Sequence, residues 1–175
     1  MRLTRPILAS TLAAALLLAG CSQGGASTGE GSGSATAFSC PTESTQSFSK
    51  ARFVLNVGLA AGAFHQWIWK PYQAGGFKEG AEGRTANLVK AGLAAAFAAK
   101  QVKDATENVK NDPELCSALG QPLAQLTGVL EGLQGSITRG DLTSLASIEA
   151  LLASVLGKSE AEGMKIVEQV PESLG

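Results

Sequence analysis

Between Leu88 and Val109 the apolar residues Leu88, Ala91, Ala95, Ala98, Val102, Ala105 and Val109 follow one another at steps of three and four without a break. That spacing fits an α-helix with one buried face and does not fit a strand. The same rhythm recurs in three other stretches. From Arg52 to Lys70, Phe53, Val57, Ala60, Phe64 and Trp67 form one stripe and Val54, Gly58, Ala61, His65 and Ile68 the next. This helix is apolar over most of its circumference and is expected at the centre of the core. Pro71 lacks the N–H that would continue it and is predicted to stop it at Lys70. A membrane crossing by Phe53–Trp69 is not expected, because its uninterrupted apolar part is about a dozen residues, short of the roughly 20 a span needs.

Asp112-Pro113-Glu114 supplies an N-cap, a proline at the first helical position and an acid in the first turn, which marks the start of a third helix. Its buried stripe is Cys116, Leu119, Leu123, Leu126, Leu130, Leu133 and Ile137, with a kink or division expected near Gly120 and Pro122. Arg139-Gly140-Asp141 turns the chain into a fourth helix on Leu142, Leu145, Ile148, Leu152 and Val155, with Gly157 as its stop. Ser159 and Glu162 have capping-box spacing, so a short fifth helix to Gln169 is predicted. Small residues dominate the Leu88–Val109 stripe, and Gly58 and Gly62 offer a flat surface for it to approach. No stretch alternates in the strand manner. The expected fold is all-α: a single antiparallel helical bundle of four main helices plus a short C-terminal helix. Gly58-Leu59-Ala60-Ala61 recurs as Gly92-Leu93-Ala94-Ala95, a tetratricopeptide period without the other signature positions, and reflects shared packing composition.

Ahead of these helices, Arg2 and Arg5 precede an uncharged apolar run from Ile7 to Ala19, the order of a secretory signal. The run ends in Leu18-Ala19-Gly20-Cys21, which resembles the lipobox of bacterial lipoproteins. The resemblance covers residues 1–21. It implies cleavage after Gly20, a diacylglycerol on the Cys21 sulfur, and a lipid-anchored protein on the extracytoplasmic side of a bacterial membrane. Residues 22–37 carry five glycines and no large apolar group, and are expected to act as a flexible linker spanning about 20–24 Å. The domains expected are therefore a signal peptide at 1–20, the lipidated cysteine and linker at 21–37, and the helical bundle at 38–175.

Removing the signal takes two of the 14 basic residues and none of the 15 acids, leaving a mildly acidic protein with its lysines and arginines scattered. No basic face for phosphate emerges, so a nucleic-acid partner is not expected. With Cys21 lipidated, Cys40 and Cys116 remain in an oxidising compartment and are expected to pair. Neither CxxC spacing nor a set of zinc ligands is present, and no cofactor or metal is expected.

Five of the chain's nine aromatic residues fall between Phe64 and Phe77, together with its one histidine. Phe64, His65, Trp67, Trp69, Lys70, Tyr72 and Phe77 are the candidate patch for an envelope protein or a small apolar ligand, with aromatic walls around a polar handle. The plainer reading makes Phe64 and Trp67 a plug at one end of the bundle. A third rests Trp69, Tyr72 and Lys70 in lipid headgroups. The glycine-rich loop after the patch is expected to move over it. No G-x-S-x-G, phosphate loop or H-E-x-x-H is present, and one histidine fills only one role of a catalytic triad. A non-enzymatic docking role is expected; the alternatives are a small envelope hydrolase using unidentified acids, flanked as the patch is by Glu79 and Glu82, and a purely structural membrane-surface protein.

Overall fold

The computed structural model describes residues 38–174, so the signal segment, Cys21 and the linker lie outside the described residues. The described chain is helical. In order it forms α1 (Ser49–Phe64), a π-helical turn (His65–Trp69), α2 (Lys70–Gln73), α3 (Arg84–Val109), α4 (Pro113–Thr138) and α5 (Leu145–Ala161). The π turn and the one-turn α2 continue α1, so the long helical bodies number four. No helix among the described residues is long and apolar enough to cross a membrane.

The apolar stripes become the core. Ala91, Ala95, Ala98, Val102, Ala105 and Val109 of α3 are buried, as are Cys116 and the Leu119–Ile137 series of α4 and Leu145, Ile148, Leu152 and Val155 of α5. In α1 the buried line is Phe53, Val57, Ala60 and Phe64. The alanine-rich α3 packs against both α1 and α4 while α5 packs on α4, and α1 has the largest buried share of any helix, nine of its 16 residues. Cys40 and Cys116 are disulfide-bonded with Cα atoms 5.5 Å apart, which fastens the segment ahead of α1 to the first turn of α4.

Helix ends differ from expectation wherever a single residue is the predicted stop. Pro71 does not end the first helix: Lys70 keeps helical angles of φ −59° and ψ −50°, and the chain turns at Gly75, with φ 74°. There the Gly75 and Gly76 N–H groups bond back to the carbonyls of Tyr72 and Pro71, a left-handed closure that glycine adopts without steric cost. Gly157 lies inside α5, which closes instead at Gly163, where Gly163 and Met164 N–H bond to Glu160 and Ser159. Helix α4 is not divided at Gly120 or Pro122. The buried leucines on either side outweigh one missing backbone bond, and Gly120 takes the Phe38 ring where a side chain would sit.

The capping box at Ser159 is likewise not formed. Ser159 is wholly buried within α5 and its hydroxyl donates to the Val155 carbonyl, so the segment after Gly163 runs without helix to Leu174. This C-terminal strap crosses α1. The Gln169 N–H donates to the Gly58 carbonyl at 3.0 Å, and the backbone at Val167 and Gln169 occupies the space that Cβ atoms on Gly58 and Gly62 would need. The flat glycine surface of α1 thus receives the strap's backbone and not the alanine face of α3.

Candidate functional site

The π turn is where the aromatic tract meets the core. In it the Lys70 N–H reaches the His65 carbonyl, five residues back, and this wider turn takes up Pro71 without a break; such insertions are frequent at functional sites. Ile68 is fully buried, while Trp67 moves to the edge of the core and is half-buried.

The seven candidate residues separate into three groups. Phe64 and Phe77 are buried core. Phe64 begins a stack that continues through Trp69, with ring centres 6.3 Å apart, to Tyr72, a further 5.6 Å on, which is 38% exposed. Trp67 faces another way, with the Lys90 ammonium 5.6 Å from its ring centre. Trp67 and Lys70 line a cleft of about 340 Å³ together with Gln66, Pro71, Ala74, Asn87 and Lys90. The Trp67 indole N–H is the buried side-chain donor left without a partner among the described residues. Lys70 donates to the Gln66 side-chain oxygen at 2.8 Å.

His65 belongs to neither the stack nor the cleft. Its Nε2 lies 2.8 Å from a Glu149 carboxylate oxygen on α5, and its Nδ1 lies 2.8 Å from Glu168 on the strap. Carboxylates only accept, so the imidazolium, which has an N–H on each side, is the form that satisfies both. Partial burial works against that charge, but the hydrogen bonds to Glu168 and Glu149 outweigh it and raise the histidine above its ordinary range. With both nitrogens engaged, the ring has none left for a substrate proton. Among the described residues no His, Cys, Asp and Glu cluster is arranged to hold a metal ion.

The loop expected to swing over the patch is pinned. Arg84 Nε donates to the Phe77 carbonyl at 2.9 Å and Asn87 Nδ2 to the Gly76 carbonyl at 3.3 Å. No protein-family model, curated protein or solved structure matches the chain. What the site does must therefore come from its own chemistry. Its partners from α3, Asn87 and Lys90, and the two glutamates on His65 carry no local signal in the sequence; Lys90 there is one of several scattered lysines.

Proposed function

We propose that the protein is a lipid-anchored, non-enzymatic component of a bacterial cell envelope that docks a partner protein or a small ligand through the cleft at the π turn. The cleft carries the reading. It brings an indole face, a proline and four polar side chains from two separate helical bodies to one small concavity, the usual composition of a recognition site. Two features favour docking over hydrolysis: His65 has both nitrogens committed to carboxylates, and no acid lines the cleft. The membrane attachment rests on Leu18-Ala19-Gly20-Cys21. We take the helices as an antiparallel bundle, supported by Arg84 lying near Gly140, Gly92 near Thr138, and Thr106 near Thr127.

The test is a photoreactive side chain in place of the exposed Ala74, with irradiation of intact cells and native mass spectrometry of the purified protein. A specific adduct or a retained small molecule, lost on Trp67→Ala, is expected. Absence of both would remove the docking role. The same mass measurement reads the anchor: a diacylglyceryl mass on Cys21 is expected, and an intact Met1 or bare Cys21 would overturn it.

A further inference from the structure

The cleft has a charge character at odds with the rest of the molecule. The chain carries 15 acidic against 14 basic residues, yet the lining includes two lysines and no acid. Of the other lysines, Lys50, Lys100 and Lys110 pair with Glu114, Asp104 and Glu107. Lys78, Lys103, Lys158 and Lys165 make no such pair among the described residues, and the cleft that Lys103 shares with Lys110 is also lined by Glu107 and Glu131. Among the described residues neither Lys70 nor Lys90 has a carboxylate within ion-pair distance. Lys70 uses one N–H on Gln66 and keeps two. Lys90 is held over the Trp67 face, an attraction that orders the ammonium without neutralising it.

The hydrogen-bonding polarity is one-sided as well. The Gln66 amide oxygen is taken by Lys70 and the Asn87 amide donates away to Gly76 with one N–H, so free donors at the cleft, two ammonium groups and amide N–H groups, outnumber the free acceptor, the Asn87 side-chain oxygen. Beside them lies an apolar wall of Trp67, Pro71 and Ala74. A volume of about 340 Å³ is near the lower end of ligand sites, so it suits a small molecule and not an acyl chain.

We propose that this cleft binds a small organic carboxylate, with its apolar body against Trp67 and Pro71 and its charge shared by Lys70 and Lys90. The proposal rests on the docking reading and names its ligand. Association through charge-assisted bonds accounts for specificity, and the indole face accounts for the preference for an apolar body.

Benzoate, its neutral isostere benzamide, and inorganic phosphate are the probes, titrated into the full isotopically labelled protein by NMR. Benzoate is expected to shift the Trp67 indole and Asn87 amide signals saturably. Benzamide and phosphate should each bind about tenfold more weakly, the first lacking charge and the second an apolar body. Lys70→Gln with Lys90→Gln should raise the benzoate Kd about tenfold or more while leaving thermal unfolding unchanged, both side chains being exposed. Equal binding of benzoate and benzamide, shifts that map away from the cleft, or an unchanged Kd in the double variant would overturn the proposal. If benzoate fails while the Ala74 crosslink still forms, the carboxylate is wrong and docking stands; if both fail, docking falls with it.

Discussion

His65 joins three parts of the chain, because Glu149 comes from α5 and Glu168 from the strap. Its folded-state pKa is raised, so its contribution is present in full below the unfolded value of about 6.5 and is lost as pH rises through the folded value. Urea midpoints should therefore fall as pH rises above about 6.5, and the slope should flatten in His65→Gln. Hydrogen exchange at residues 164–170 should rise over the same interval. The glycines give a second contrast at this scale. Gly62→Ala places a methyl group against the Gln169 backbone and should destabilise by about 1–3 kcal/mol, whereas Gly157→Ala meets open space within α5 and should stabilise by about 0.5–1 kcal/mol. Urea denaturation of the two variants decides it.

At the scale of elements, the stripes were legible, as was the turn at Arg139-Gly140-Asp141 that ends α4, but the stops read from Pro71 and Gly157 were not. Periodicity is repeated over many residues, and every turn of α3 and α4 repeats the same message about which face is inside. A stop rests on one residue whose effect depends on its neighbours in the fold. Pro71 was absorbed because a π turn lies directly before it, and Gly157 stayed helical because nothing drives its backbone to positive φ, unlike Gly75 and Gly163. Asp112 is the terminus whose signal agreed at every position: its φ of −135° is non-helical and its carboxylate accepts the N–H groups of Glu114 and Leu115, each at 3.1 Å. Asp112→Ala should cost about 1 kcal/mol, measured by thermal or chemical unfolding.

Across the whole molecule, the pairing of Cys40 with Cys116 followed from compartment and elimination. The aromatic tract, being local, could also be found in the sequence. The cleft and the setting of the histidine could not, since each depends on partners elsewhere in the chain: Asn87 and Lys90 come from α3, and His65 and Glu149 are 84 residues apart. Replacing both cysteines of the disulfide by serine should lower stability by about 2–5 kcal/mol, the range for removing a native crosslink that closes a long loop, and equilibrium unfolding measures it.

The crosslink also sets how force travels. Tension on the chain ahead of Cys40 enters the fold at that residue and passes through the covalent bond to Cys116 at the start of α4, bypassing a sequence separation of 76. Helix α1, the π turn, α2 and α3 all lie within the bypassed segment. Tension between the two ends of the chain therefore cannot draw out the segment that carries the cleft while the bond is intact.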